Sequence, residues 1–265
     1  MLWLAIFFLV PMGFLGYQSL ESGLFPHFHF TWAFSNFSSA LSGYHTQLVR
    51  SFIYAGIATV ACLVLAYPLV YWIAFRAGPW RNLFLLIIVA PFFVTYLVRT
   101  LAWLNILADE GPVVRILRDI HVLGPDGRLL ATTFAVVAGI TYNFFPFMAL
   151  PIYVSLEQID ARLLEAAKDL YSSPTQAFLR VTLPLSAPGI VAGTLLTFIP
   201  AAGDFINAAL LGTPNQAMIG NVIQAKFLES LDYPTAASLS FILMGTILIA
   251  LLVYARIVGP EKLTG

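Results

Sequence analysis

Residues 160–185 read DARLLEAAKDLYSSPTQAFLRVTLPL and interrupt a chain that is otherwise strongly apolar. This stretch contains six charged residues, whereas the whole chain is 60% hydrophobic and only 10% charged. Asp160 is suited to cap a first amphipathic helix, and Ser173 is suited to cap a second one. The second helix should end by Thr182, because Pro184 follows and disfavours helical torsions in the residue before it. The stretch therefore predicts two short amphipathic helices joined at a bend, which by themselves are typical of a linker lying on the membrane surface.

The composition on either side of this stretch is typical of an integral membrane protein. The net charge is zero and the mean hydropathy is +0.87, whereas a water-soluble domain of 265 residues needs far more charge on its surface. A helix needs about 20 mostly apolar residues to cross a bilayer. Stretches with at most one charge predict six membrane-spanning helices, at about 2–20, 52–75, 82–108, 129–156, 186–212 and 234–257. The predicted fold is all-α, with residues 1–265 in a single transmembrane domain.

The basic residues indicate how the helices are oriented. Six helices place both termini on one side, and seven Lys and Arg residues lie on that side against five on the other. Because cytoplasmic loops carry the excess of basic residues, both termini are expected in the cytoplasm. The first segment is expected to be a retained helix, since neither a basic start nor a small-residue cleavage site marks it as a signal peptide. A start of the natural protein upstream of Met1 stays open.

The spacing within the polar stretch resembles the EAA loop of ABC-importer permeases. Glu165-Ala166-Ala167 and Leu183-Pro184 stand at the two ends of the pattern. Tyr171 stands where the family usually has Gly, which implies other torsions at the bend or a side chain that fills a pocket on the partner. The resemblance implies that residues 157–185 form a cytoplasmic loop that couples ATP hydrolysis to helix movement. The residues it assigns to this coupling are Glu165, Ala166, Ala167, Lys168, Asp169, Tyr171, Leu183 and Pro184.

Further motifs resemble the spermidine/putrescine (PotB/PotH-like) permeases within that group. They are PFMALPIY at 146–153, LPLSAPGI at 183–190 and DYP at 232–234, and the resemblance covers roughly residues 45–257. It implies the ABC importer type I permease fold, a place in the bacterial inner membrane, and a polyamine substrate. Opine, phosphonate and ferric-iron permeases are similar in these parts, so those substrates stay open. A secondary carrier or an intramembrane enzyme is the contrasting class of function.

The resemblance also implies the partners of the chain. They are two ABC ATPase subunits that bind ATP and Mg, a second homologous permease, and an extracytoplasmic solute-binding protein, alongside the membrane lipid. In the family, outer loops such as 109–128 receive the binding protein, and turn residues predict a short helix over 113–120 within this loop. Whether two copies of this chain or two different permeases form the pore stays open.

Several kinds of site are not expected in the chain itself. It has no P-loop pattern, so no ATP or other cofactor is expected to bind to it. No set of catalytic residues converges in the predicted spans, and no basic patch of the nucleic-acid-binding kind is present. His27 and His29 alternate without a carboxylate or Cys nearby, which does not predict a metal site.

Asp204 is the only carboxylate in a predicted span, which makes it the first candidate for a residue of the substrate pathway. An acid at this depth usually faces a cavity or a partner. Two interpretations stay open: Asp204 binds an ammonium group of the substrate, or it pairs with Arg99, the one basic residue in span 82–108. Aromatic faces can also bind an ammonium group. The candidate pathway residues are Asp204, Arg99, Tyr96, Trp103, Tyr142 and Phe205.

Overall fold

The computed structural model of the chain describes residue 3 and residues 5–160, 162–163, 165 and 173–258, which form a helical bundle with a β-hairpin. The elements, in chain order, are α1 (Val10–Ser19), β1 (Glu21–Leu24), β2 (His27–Phe30), α2 (Ser35–Arg76), α3 (Arg81–Val89), α4 (Tyr96–Leu107), α5 (Pro112–Asp119), α6 (Thr133–Glu157), α7 (Pro174–Ala177), α8 (Leu183–Leu185), α9 (Ala187–Ala202), α10 (Ile206–Leu211), α11 (Ile219–Leu228) and α12 (Tyr233–Val258). Wide π-helical turns lie at Ala5–Leu9 and Phe178–Thr182, and tight 3-10 turns lie at Gly78–Trp80, Ala90–Phe93 and Pro214–Gln216. The two strands pair antiparallel, with Glu21 opposite Phe30.

The centre of the bundle is formed by α2, α6 and α9, which pack along one another. Small residues allow this close approach, as is common between helices in membranes, where lipid is as apolar as the helix surface. A Cβ atom at Gly193 of α9 would lie 2.9 Å from the sulfur of Met148 on α6. Fully buried Ile140 and Ile152 fill the rest of the α6 interface. Helix α12 packs outside this centre, against α1, α2 and α11.

Three helices are long and apolar enough to cross a membrane, judged on length and composition within the described part of the chain. They are Ser35–Arg76, Thr133–Glu157 and Tyr233–Arg256, and two bent helix pairs raise the number to five if each pair is one span. The first apolar helix, Ile6–Ser19, is shorter. The six-span count of the sequence therefore stays a prediction, although the spans at 129–156 and 234–257 correspond closely to α6 and α12. Helix α2 begins at Ser35 rather than at residue 52, because its polar first turns continue the helix with a kink at Tyr44.

The continuous helix predicted at 82–108 is wrong. The chain forms a 3-10 turn at Ala90–Phe93, and Val94 then adopts extended torsions, so the segments Gly78–Phe93 and Tyr96–Asp119 meet at 98°. Pro91 lies in this turn and has no N–H to donate to the helix ladder, which explains why the helix ends here.

The continuous helix predicted at 186–212 is also wrong. Helix α9 ends at Ala202, and α10 begins only at Ile206. Pro200 lies inside the last turn of α9, and Gly203 follows as its C-cap residue. Both residues weaken a helix, which explains why the helix breaks here. This break exposes the backbone around Asp204 to bonding partners outside its own helix.

In the described part of the polar stretch after α6, both caps and the end of the second helix can be compared with the prediction. Asp160 Oδ1 accepts a hydrogen bond from Arg162 N at 2.9 Å, and Ser173 Oγ accepts one from Gln176 N at 3.3 Å, so both predicted caps are confirmed. The helical path does not end by Thr182, however. The wide π turn at Phe178–Thr182 leads directly into α8, which contains Pro184. A wide turn changes the bonding register, which allows a proline where a regular helix would lose a bond.

Candidate translocation site

The two helix breaks lie against each other, and their contact is centred on Asp204. The Tyr96 hydroxyl, at the start of α4, donates a short hydrogen bond to Asp204 Oδ2. Asn207 of α10 donates twice to the same carboxylate, from its backbone N to Oδ1 at 2.9 Å and from Nδ2 to Oδ2 at 2.6 Å. Asp204 is only 6% exposed, so this carboxylate is buried but bonded at both oxygens. The bond that Asp204 Oδ1 accepts from the backbone N of Asn207 also caps the first turn of α10.

Neutral polar side chains extend this contact to α6. Asn143 Nδ2 donates to Asn207 Oδ1 and to Thr100 Oγ1, each at 3.1 Å. Asn207 Nδ2 also donates to Tyr96 Oη at 2.6 Å. Thr100 and Asn207 are fully buried, and Asn143 is nearly so. We call Tyr96, Thr100, Asn143, Asp204 and Asn207 the polar cluster; it joins both breaks to the central helix.

The ion pair between Arg99 and Asp204, one of the two interpretations left open by the sequence, is not formed. Within the described chain, no nitrogen of Arg99 lies within 4.0 Å of a carboxylate oxygen of Asp204. Arg99 is 8% exposed, and its guanidinium carbon lies 5.0 Å from the ring centroid of Phe92 and 5.6 Å from that of Tyr96. Its Nε and Nη1 atoms have no hydrogen-bond partner there. The pairing hypothesis is wrong in this conformation because donors from Tyr96 and Asn207 already satisfy Asp204.

The remaining predicted pathway residues divide into two groups. Trp103 and Tyr142 pack edge to face at 5.4 Å, one turn along from the polar cluster. Phe205 stands at the α9–α10 break, where its carbonyl oxygen accepts a bond from Asn221 Nδ2 at 2.7 Å. The structure thus brings Arg99, Tyr96 and Asp204 together, and sets Phe205 on the side that faces α11.

Sequence reasoning missed Thr100, Asn143 and Asn207. The search followed charged residues, whereas these three are neutral. The signal was nevertheless present, because Asn143 and Asn207 are amides within otherwise apolar stretches, and buried amides require partners.

A cavity of about 460 Å³ opens between α6 and α9. Its walls are mainly apolar, with Ser155 and Gln158 as polar side chains, and no charged residue lines it. Phe147 lines this cavity and packs edge to face on Phe92 at 5.2 Å, and Phe92 in turn contacts Arg99. The cavity is therefore connected to the helix breaks through two aromatic rings.

The predicted coupling residues are only partly described. Glu165 is exposed, Leu183 is partly buried and Pro184 is exposed in α8. Ala166, Ala167, Lys168, Asp169 and Tyr171 lie outside the described residues. The coupling role of all eight residues stays a prediction.

The segment between α4 and α6 forms a compact surface lobe. Helix α5, Pro112–Asp119, confirms the short helix predicted over 113–120. Arg118 bonds the carbonyl oxygens of Asp109 and Gly127, which closes the lobe at its base. Arg128 donates to Asp109 Oδ2 from Nε at 2.9 Å and from Nη2 at 2.5 Å. This hydrogen bonding from Arg128 lowers the pKa of the Asp109 carboxyl below its ordinary value.

Comparison with known proteins gives consistent matches over nearly the whole chain. Residues 38–258 match the family described as "Binding-protein-dependent transport system inner membrane component". The chain is 37% identical over 254 residues to the spermidine/putrescine transport system permease protein PotB of Haemophilus influenzae, covering 95% of this chain and 88% of that protein. The corresponding PotB of Escherichia coli is 36% identical over 256 residues, covering 96% and 93% of the two chains.

Two further comparisons extend this result. The E. coli inner membrane ABC transporter permease protein YdcU is 34% identical over 219 residues, covering 77% of this chain and 68% of that protein. A crystal structure of a bacterial ABC transporter that imports the acidic polysaccharide alginate superposes with a TM-score of 0.76 at 17% identity, covering 100% of this chain and 93% of the other. A second structure of an alginate transporter, in complex with a periplasmic protein that holds an alginate pentasaccharide, gives a TM-score of 0.78 at 17% identity, covering 100% and 92% of the chains. At this identity the likeness shows a shared fold and nothing about the substrate.

Proposed function

Because the chain belongs to the family of binding-protein-dependent transport system inner membrane components, we propose that it is the membrane permease subunit of an ATP-driven importer of spermidine and putrescine. The observation that carries this proposal is the identity of 35–37% to spermidine/putrescine permeases over at least 95% of the chain. The relatives are permease subunits rather than enzymes, and the function proposed here is transport without chemical change of the substrate.

The polar cluster agrees with an organic cation as substrate. A protonated amine needs acceptor oxygens or aromatic faces when it leaves water, and both occur at the helix breaks. Asp204 supplies carboxyl oxygens, Tyr96 supplies a ring beside them, and Phe92 supplies a second ring face next to Arg99. The cavity between α6 and α9 is uncharged, so it presents no fixed cation to a polyamine that enters it.

The proposed assembly follows the family. A second permease completes the pathway, two ABC ATPase subunits bind ATP and Mg on the cytoplasmic side, and an extracytoplasmic binding protein delivers the polyamine. Closure of the ATPases moves the loop at 157–185, and the pathway changes from inward-facing to outward-facing. The termini and this loop lie in the cytoplasm, and the lobe around α5 faces outward.

Uptake of labelled polyamine tests the proposal. The complete transporter is expressed in bacteria that lack their own polyamine importers, and uptake of labelled spermidine and putrescine is measured with and without an excess of unlabelled opine, phosphonate or ferric iron. We expect uptake of both polyamines that none of these compounds reduces. No uptake of labelled polyamines, with uptake of a labelled opine, phosphonate or ferric iron instead, would assign the chain to that substrate.

A matched variant tests the coupling role. Glu165 is exposed after α6, at one end of the proposed ATPase-docking surface. The variant Glu165→Lys reverses its charge, and we expect uptake to fall at least tenfold while membrane insertion persists. Glu229→Lys, an exposed acid at the end of α11, is the control for a simple change of net charge. Normal uptake by Glu165→Lys would contradict the docking role.

A further inference from the structure

Arg99 is an anomaly in this bundle, because it is a buried cation without an anionic partner. Its side chain is more than nine-tenths buried, and two of its nitrogen atoms, Nε and Nη1, make no hydrogen bond within the described chain. A buried charge in a membrane protein is normally paired or functional. Among the described residues, this guanidinium lies against the faces of Phe92 and Tyr96, at 5.0 Å and 5.6 Å from their centroids.

The two rings next to this guanidinium each contact a further part of the site. The Tyr96 hydroxyl donates to Asp204, so a carboxylate lies at the edge of this ring. Phe92 packs on Phe147, which lines the cavity between α6 and α9. The guanidinium therefore contacts one ring that belongs to the polar cluster and one that packs against the cavity wall.

The chemistry of this place favours a cation and disfavours an anion. Ring faces carry negative electrostatic potential, so they attract ammonium and guanidinium groups and repel carboxylates or phosphates. The acceptor oxygens of Asp204 at the edge of the Tyr96 ring act in the same direction. An anionic ligand recruited by Arg99 would have to lie against both, so the unbonded Arg99 atoms do not indicate an anion site.

We propose that the faces of Phe92 and Tyr96 form an organic-cation site, and that Arg99 is its resident occupant in this conformation. The ammonium group of the substrate takes this place when movement at the α3–α4 break withdraws Arg99. In this conformation, Arg99 therefore blocks the ring faces to other cations. Because Arg99 forms no ion pair within the described chain, the incoming cation does not have to break one. The identity of the incoming cation rests on the proposed transport function, whereas occupancy of the site by Arg99 does not.

Free guanidinium ion tests the occupancy directly. The complete transporter is purified in lipid nanodiscs, and its thermal unfolding is followed with millimolar guanidinium chloride against sodium chloride of equal ionic strength. We expect guanidinium to raise the unfolding temperature of Arg99→Ala, because it fills the vacated place, and to leave the wild type unshifted. The double variant Arg99→Ala with Phe92→Leu should lose the shift. Equal responses of wild type and Arg99→Ala, or no response of either, would overturn the proposal.

A second variant protects the test against misfolding. Arg99→Gln keeps a polar side chain but is shorter and carries no charge, so it leaves the ring faces without a cation and should show a guanidinium shift in the same direction. For uptake, we expect the KM for spermidine to fall about threefold to tenfold in Arg99→Gln. In the wild type only the fraction of molecules from which Arg99 has withdrawn can bind substrate, whereas in the variant all molecules can. Arg99→Lys, which retains a cation, should stay close to wild type. An unchanged or higher KM in Arg99→Gln would contradict the resident-cation role.

The two measurements separate this inference from the proposed function. The guanidinium shift needs no transported substrate, so it decides whether the site exists even if polyamine uptake fails. A shift without polyamine uptake would retain the cation site and overturn the assigned substrate. Polyamine uptake without a shift would retain the substrate and overturn the role of Arg99.

Discussion

Asn207 shows how an acid can be kept inside this bundle without a counter-ion. Its backbone N and side-chain Nδ2 both donate to Asp204, and its Oδ1 accepts from Asn143. Hydrogen bonds to a charged group contribute about 1.5–3 kcal/mol each, more than those between neutral groups. A neutral amide therefore does most of the stabilising that the sequence led us to expect from Arg99.

Replacing Asn207 should destabilise the protein more than its size suggests. In Asn207→Ala, Asp204 Oδ2 loses one donor and Asn143 Nδ2 loses an acceptor. Leaving two buried polar groups short of a partner costs about 2–4 kcal/mol. Thermal unfolding of the purified protein measures this loss. Asn105→Ala is the control, because Asn105 bonds only the carbonyl of Leu101 at an exposed position and should change stability by less than about 0.5 kcal/mol.

The sequence could predict Asp204 as important but could not predict its partners. Asn143 and Asn207 are 64 residues apart in the chain, and Tyr96 and Asp204 are 108 apart. Their contact depends on two helix breaks that fold distant segments against each other. Charge alone pointed to Arg99, because opposite charges at similar depth are the simplest pair that a sequence offers.

At the scale of elements, prediction from the sequence failed at the helix breaks and succeeded where local residues mark the end of a helix. Pro91 lies within a long apolar run, and hydropathy does not distinguish a straight span from a bent one. By contrast, α5 was predicted nearly to the residue because turn residues mark both of its ends. The caps at Asp160 and Ser173 were also visible, since capping depends on neighbours within three residues.

Gly220 allows α11 to approach the α9–α10 break. A Cβ atom there would lie 2.6 Å from the carbonyl oxygen of Gly203 and 3.1 Å from that of Asp204. Neither backbone atom can move without disturbing the break, so Gly220→Ala should destabilise by about 1–3 kcal/mol through overpacking. Gly245→Ala on α12 is the matched control. No atom lies within 4 Å of its added Cβ, and alanine should stabilise this helix by up to about 1 kcal/mol. Equal unfolding temperatures for the two variants would contradict the close contact at Gly220.

The stability of the surface lobe around α5 should depend on pH. Because the folded-state pKa of Asp109 is lowered by Arg128, its stabilising contribution is present above the ordinary aspartate pKa of about 3.9. That contribution is lost as the pH falls through the lowered pKa. Hydrogen exchange of residues 109–128, corrected for the intrinsic rate, should therefore increase on acidification. In Asp109→Asn, exchange should be faster at neutral pH and show little further change. Glu110→Gln, which alters only the longer contact to Arg115 at 3.4 Å, should keep the wild-type profile.

At the scale of the whole molecule, the proposed topology puts α7 and the α5 lobe on opposite sides of the membrane. The single cysteine, Cys62, is buried and its thiol donates to the carbonyl of Thr141 at 3.3 Å, so Cys62→Ala gives a background without a thiol. In that background, Asp126→Cys should react with a membrane-impermeant reagent in intact cells. Thr175→Cys should react only after the cytoplasmic face is opened. The reverse pattern would invert the proposed orientation.

The length of α2 carries a mechanical consequence. The 32 residues that follow its kink at Tyr44, up to Arg76, extend about 48 Å, whereas a bilayer's hydrocarbon layer is only about 30 Å thick. Tilt alone cannot absorb the excess, since it would have to reach about 50°, beyond the usual upper limit of about 40°. Even at that upper limit, about one to two turns of α2 lie beyond the hydrocarbon layer and form a stiff arm. The Arg50 side chain bonds Ala217 O at 2.9 Å and the Ser51 hydroxyl accepts from Ile219 N at 2.8 Å, so this arm is fastened to the start of α11. Rocking of α2 within the bilayer would then displace the buried start of α11 at residues 217–219 sideways.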